Sequence, residues 1–299
     1  MDIAVTGASG LIGSKLVGAL TAAGHRPLRL VRRDPSPGED AVRWDPAAGT
    51  IDAASLEGVG AVVHLAGEGI AEKRWSAEQK RRILDSRVDG TSLLATTLAG
   101  LNRPPGVLLS GSAIGFYGER GDEELTESSG PGDIFLADVC RAWEAATAPA
   151  EEAGIRVAHL RTGIVLDRHG GALAKTLPLF RFGLGGRLGS GRPWWSWIGI
   201  DDEVGAIEFL LGADISGPVN LTAPNPVTNA EFTKVLGSVL GRPTLLPVPA
   251  FGPKVLLGSE LAEQLLFTSA RVLPGVLTDA GYEFRSPDLE GALREELGK

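Results

Sequence analysis

The sequence predicts an α/β fold: a doubly wound parallel sheet with helices on both faces and a smaller, mostly helical C-terminal part. Three observations carry this. Short runs rich in Val, Leu and Ile alternate with longer amphipathic stretches through the first half, the pattern of parallel strands joined by helical crossovers. The first run leads directly into a glycine-spaced turn and a helix, Thr6-Gly7-Ala8-Ser9-Gly10-Leu11-Ile12-Gly13. At 299 residues, with 43% hydrophobic and 22% charged, the chain can bury a large core and is too apolar to be disordered.

Strands are expected over 3–6, 28–31, 41–44, 61–65, 107–110 and 156–161, each short and β-branched or Leu-rich. Helices fill the gaps over 13–23, 77–99 and 136–153. Beyond Arg161 the pattern changes to a Gly-rich and Trp-rich stretch over 183–199, then a short helix over 202–211 and a strand over 219–221. Thr228 and Asn229 open a further helix, and Pro243, Pro247, Pro249 and Pro253 mark turns before a run of short helices. The expected division is a dinucleotide-binding domain over 1–165, its sheet continued by strands near 197–200 and 219–221, and a substrate-side domain over 166–299. A cleft would then open at the carboxyl ends of the strands.

The glycine loop has a physical reading. Gly7 permits the tight turn off the strand, Gly10 lets backbone approach a pyrophosphate, and Gly13 lets helix pack closely on strand. Ser9, Leu11 and Ile12 complete the loop around the anion. At the end of the second strand stand Arg32 and Arg33, where an acid would accept the 2'-hydroxyl of NAD; guanidinium groups suit a 2'-phosphate, so NADP(H) is the expected cofactor. After the fourth strand, the small-residue stretch Leu65-Ala66-Gly67-Glu68 lets a dinucleotide lie across the backbone. Arg87, on the long helix that follows, can point back toward it. His64 reads as a packed strand residue.

Composition excludes several other functions. The net charge of 29 − 37 = −8 argues against nucleic-acid binding. One cysteine, Cys140, allows no internal disulfide and no Cys-based zinc cluster, so no metal site is expected. With no run of about 18 apolar residues and no signal-peptide pattern, the expectation is a cytoplasmic protein without a membrane partner.

Further segments extend the pattern along the whole chain: HLAGE at 64–68, RW at 74–75, SR at 86–87, SGSAIGFYG at 110–118, WE at 143–144 and RTGIVL at 161–166. GLGGRLGSGRPWWSWIGIDD at 183–202, NLTAPNPVTNAEF at 220–232 and the C-terminal LPVPAF, LLFTSARVLPGVL and AGYEF continue it. With these the chain resembles the atypical and extended short-chain dehydrogenase/reductases, in particular their NAD-dependent epimerase/dehydratase-like "epimerase family protein" subgroup with its C-terminal extension. The resemblance implies a Rossmann-type domain with NADP(H) across it, Arg32 near the 2'-phosphate, contacts from Leu65 and Ala66 and a cofactor-side role for Arg87. It also implies nicotinamide-side contacts from Thr162 to Val165, Gly163 included.

The chain departs from that family at the proton-transfer pair. Members of the classical kind use a Tyr with a Lys four residues on; counting back from Trp143-Glu144 puts Leu136 and Cys140 in those places. Neither can do that work. Tyr117 is the substitute proton donor to consider, with Ser110 and Ser112 in the place of the substrate-orienting hydroxyl; the competing reading of Tyr117 is an aromatic packing the cleft wall. Trp194, Trp195 and Trp197 stack on a ligand or fill an interface. Two functions remain open: an NADP(H)-dependent oxidoreductase or epimerase-like enzyme on a small carbonyl or sugar-like substrate, and a non-catalytic NADP(H)-binding regulatory or sensor protein. Monomer and homodimer are both compatible with the sequence.

Overall fold

The computed structural model describes residues 1–299 and has the mixed α/β architecture. In chain order the first half contains β1 (Asp2–Thr6), α1 (Leu11–Ala22), β2 (Arg26–Val31), β3 (Ala41–Asp45), β4 (Thr50–Ile51), β5 (Ala61–His64), α2 (Ala77–Ala99), β6 (Val107–Ala113), β7 (Glu124–Leu125), α3 (Phe135–Ala145), α4 (Ala148–Glu152) and β8 (Arg156–Thr162). Then come β9 (Ile164–Leu166), α5 (Gly171–Arg181), β10 (Trp194–Trp195), β11 (Trp197–Gly199), α6 (Ile200–Gly212), β12 (Gly217–Leu221), β13 (Val227–Thr228) and α7 (Asn229–Leu240). The chain closes with α8 (Phe251–Leu257), α9 (Ser259–Ala262), β14 (Arg271–Val272), α10 (Gly275–Asp279) and α11 (Leu289–Leu297).

The large sheet has the order β12-β8-β6-β5-β1-β2-β3-β4, parallel except for the edge strand β4. Strand order reverses at β1, whose neighbours are β2 and β5, so the crevice beyond their carboxyl ends is the switch point where open α/β sheets bind ligands. Side-chain alternation along β1 builds both faces. Ile3 and Val5 pack with Leu16, Leu20, Ile207 and Leu210 on one side; Ala4 packs with Leu30, Leu94 and Leu98 on the other.

Two expectations of the sequence are corrected. The helix over 136–153 is broken into α3 and α4, with Pro149 in the first turn of the second, because proline has no N–H for a continuing ladder. The strand near 197–200 does not extend the large sheet: β11 pairs in parallel with β9, while β12 joins β8 in the large sheet. Trp195 and Trp197, both buried, then fill a third core with Phe180, Phe232 and Leu236. They are interface fillers; Trp194 is partly exposed, donates to Asp122 at 2.8 Å and carries Arg271 over its ring. α7 opens on a capping box between Thr228 and Glu231 and ends at Gly241 in the left-handed region.

Candidate functional site

The glycine loop leaves β1 at the switch point. Gly7 has φ +66°, and a Cβ there would lie 2.8 Å from the Leu65 carbonyl carbon; one on Gly13 would lie 2.2 Å from the Gly7 oxygen. Those two glycines are required by the protein's own backbone. Gly10 is exposed, and a Cβ on it would meet only the Gly7 oxygen, at 3.2 Å, so the chain's own packing demands less of this glycine. Gly10 is also the N-cap of α1, where no side chain caps and no acid occupies the first turn. The N–H groups and positive dipole end of that helix are therefore available to an anion.

Thr6 ties this loop to the next strand end. Its Oγ1 accepts the N–H groups of Leu65 and Ala66 at 3.0 and 3.1 Å and lies 2.7 Å from His64 Nδ1. With the hydroxyl already accepting twice, its proton goes to Nδ1, which makes Nε2 the protonated nitrogen and the donor to Thr91 Oγ1 at 2.9 Å. Burial, with Arg87 nearby, pulls His64 down to about 4, so this is a neutral packed imidazole. The Glu68 N–H bonds Ser86 Oγ at 3.0 Å and its carbonyl accepts from Arg87 Nη1 at 2.9 Å. Arg87 lies between Gly67 and the ring of Trp143, 4.8 Å from the latter, and lines the floor beneath the Leu65–Glu68 backbone.

The two arginines at the end of β2 separate. Arg33 makes a two-pronged pair with Glu39, Nη1 to Oε2 at 2.8 Å and Nη2 to Oε1 at 2.5 Å, and holds that carboxyl down to about 2. Arg32 is exposed and forms neither a side-chain hydrogen bond nor an ion pair.

The residues considered for proton transfer are placed differently. Tyr117 is fully buried, donates to Asn220 Oδ1 at 2.7 Å and accepts from Arg161 Nη1 at 3.0 Å. Of the two readings of Tyr117 this corrects the proton-donor one in favour of the packed aromatic: its hydroxyl is committed inside the fold, and burial raises its pKa. Ser112 is buried and donates to Glu144 Oε1 at 2.7 Å; Ser110 is buried with its Oγ unpartnered. On α3, Leu136 and Cys140 are both buried, and burial with Glu144 nearby pushes the Cys140 thiol up to about 11.

Two arrangements had no counterpart in the sequence reading. Arg161 binds Glu144 side-on, Nε to Oε1 at 2.8 Å and Nη2 to Oε2 at 2.9 Å, and its guanidinium lies 3.5 Å from the Phe116 ring centroid. The segments WE and RTGIVL hold these residues but do not show that they meet. Glu203, in α6, is completely buried; Thr162 Oγ1 donates to its Oε1 at 2.8 Å and its Oε2 has no partner. Burial pushes that carboxyl up to about 8, which makes it a neutral acid at pH 7. Thr162 is half-buried at the carboxyl end of β8, level with Ala113 of β6. Gly163 and Val165 follow, a Cβ on Gly163 falling 2.7 Å from the Ser196 carbonyl.

This geometry accompanies a family match. Residues 3–221 match the model of the NAD dependent epimerase/dehydratase family, and residues 248–296 match a domain of unknown function, DUF1731. The chain belongs to the NAD-dependent epimerase/dehydratase family. An epimerase family protein of Mycobacterium bovis is 44% identical over 292 residues, 97% of this chain and 96% of its own. The crystal structure of the human epimerase family protein SDR39U1 with NADPH superposes with a TM-score of 0.91 at 34% identity, covering 100% of this chain and 99% of that one. A nucleoside-diphosphate sugar epimerase of Corynebacterium glutamicum gives 0.82 at 40% identity over 100% of this chain and 58% of its own. The epimerase-family fold with its C-terminal extension is thus the frame for the site.

Proposed function

We propose that this epimerase-family member is an NADP(H)-dependent oxidoreductase or epimerase-like enzyme acting on a small carbonyl or sugar-like substrate. The observation that carries the cofactor choice is Arg32, exposed and unpaired at the end of β2 while its neighbour Arg33 is held by Glu39. A free guanidinium beside the glycine loop is the group a 2'-phosphate recruits. The human relative with NADPH supports the same reading. From β2 through β1, β5 and β6 to β8 the sheet edge spans four strand spacings, roughly 19 Å, which suits an extended dinucleotide.

In this reading residues 1–165 hold most of the cofactor and 166–299 face the substrate. Gly10 and the first turn of α1 receive the pyrophosphate, Leu65–Glu68 pass beneath the ribose, and Thr162, Gly163 and Val165 flank the nicotinamide. When bound, the nicotinamide supplies or accepts a hydride at its C4. With Tyr117 withdrawn and Leu136 and Cys140 buried, the proton comes from Thr162. Its hydroxyl, which donates to Glu203 Oε1 in this structure, turns to the substrate oxygen and gives it a proton, and is reprotonated from solvent once product leaves.

Titration of Arg32→Asp with NADPH and NADH tests the cofactor choice: lost preference for NADPH is expected, and an unchanged one overturns it. A turnover panel of aldehydes, ketones and sugar nucleotides with NADPH tests the enzyme. The buried Leu136 and Cys140 favour a second reading, an NADP(H)-binding sensor, which tight NADPH binding without turnover on any substrate would select.

A further inference from the structure

Nine large apolar side chains are exposed, and eight of them fall in two stretches, 179–184 and 245–256. The stretches adjoin in space. Leu188 bridges Val248, the Val248 N–H donates to the Arg187 carbonyl at 2.8 Å, and Arg242 Nε donates to the Arg181 carbonyl at 2.9 Å. Gly186 lies directly against the Leu246 carbonyl, where a Cβ would collide at 1.9 Å. Phe182 is 81% exposed, Leu245 88% and Phe251 71%, on segments that pack side by side. Patches of this kind mark interaction sites.

The charge of the face is opposite to that of the protein. No Asp or Glu occurs between Asp167 and Asp201 or between Glu231 and Glu260, although the chain carries −8 overall. Lys175, Arg181, Arg187 and Arg242 are exposed there and none has a carboxylate partner. Lys175, Arg187 and Arg242 donate only to backbone carbonyls, of Ala71, of Gly189 and Ser190, and of Arg181. Of the cations in the two stretches only Lys254 is ion-paired, with Glu263.

We propose that this face docks on the surface of an anionic phospholipid bilayer. Apolar tips enter the headgroup boundary while the cations beside them meet lipid phosphates, and each contribution strengthens the other. A second copy placed by two-fold symmetry would set the same unpaired cations against each other, and a nucleic acid would leave the apolar tips without a role. No helix is long and apolar enough to cross a membrane, and surface docking does not need one. This inference is independent of the cofactor and of turnover.

The test is sedimentation of the full chain with phosphatidylcholine vesicles and with vesicles that also contain phosphatidylglycerol, at low and high salt. Binding to the anionic vesicles, weakened by salt, is expected. Arg181→Glu with Arg242→Glu should cut the partition on the order of tenfold or more; Phe182→Ser with Phe251→Ser should cut it at either salt. An unchanged circular-dichroism spectrum and melting temperature show that each variant is folded. Failure to bind anionic vesicles, equal binding to both vesicle types, or binding unchanged in both variants overturns the proposal. So does a dimer that Phe182→Ser dissolves in the absence of any vesicle binding.

Discussion

Arg161 and Glu144 form a side-on ion pair inside the protein, with side chains only 5% and 12% exposed. The pair joins β8 to α3 and, through Tyr117 and Asn220, to β12. Burial alone would raise the Glu144 carboxyl; bonds from Arg161 and Ser112 and the Arg161 charge outweigh that and hold it below the usual carboxylate range. Arg161→Met leaves Glu144 buried with no cation and only Ser112 as a partner and should cost about 3–5 kcal/mol in urea denaturation, with Arg161→Met/Glu144→Leu recovering much of the loss. Because the folded carboxyl titrates lower than the unfolded one, its stabilisation is present above the unfolded pKa and fades as pH falls through the folded value. Glu144→Gln should therefore soften the acid limb of the stability curve.

Glu203 has the opposite sign. Its folded value, about 8, stands above the ordinary 4.5, so the folded protein holds this proton more tightly than the unfolded one. The stability it contributes is complete below the unfolded value and is lost as pH rises toward 8. Melting temperatures measured across pH 5 to 9 should decline over that window. Glu203→Gln should flatten the decline, and a profile unchanged by the substitution would show that Glu203 is not a neutral acid. In any turnover assay, Thr162→Val should lower the rate far more than it weakens NADPH binding.

The glycines of the loop divide by what they meet. Gly13→Ala places a methyl 2.2 Å from a backbone oxygen and should destabilise the fold by about 3 kcal/mol or more, the upper end of what overpacking costs. Gly10→Ala meets only one oxygen at 3.2 Å and should leave the melting temperature nearly unchanged while weakening NADPH affinity. Paired melting and cofactor-fluorescence titrations distinguish the two. Equal loss of stability in both variants would contradict the division.

Tyr117→Phe removes a hydroxyl that joins Asn220 to Arg161, and the cost of leaving those buried groups unmatched is about 1–3 kcal/mol. NADPH affinity and the turnover of the remaining folded protein should stay as they are. A large fall in turnover without loss of stability would return Tyr117 to the proton-donor role.

What the sequence alone determined is local: an apolar strand, three glycines at fixed spacing and a helix specify the strand-turn-helix loop because turn geometry and helix dipole act over a few residues. The position of Arg32 was legible for the same reason, directly after the end of β2. Tertiary structure decided the rest. Which of Arg32 and Arg33 is free depends on Glu39 folding back; whether Tyr117 faces solvent depends on Asn220, 103 residues away, and whether Glu203 is a solvated helix-start acid or a buried neutral one depends on Thr162, 41 residues away. Burial and pairing arise between segments that the chain brings together only on folding. The acid-free segments could be counted in the sequence, but only their side-by-side packing makes one apolar, cationic face.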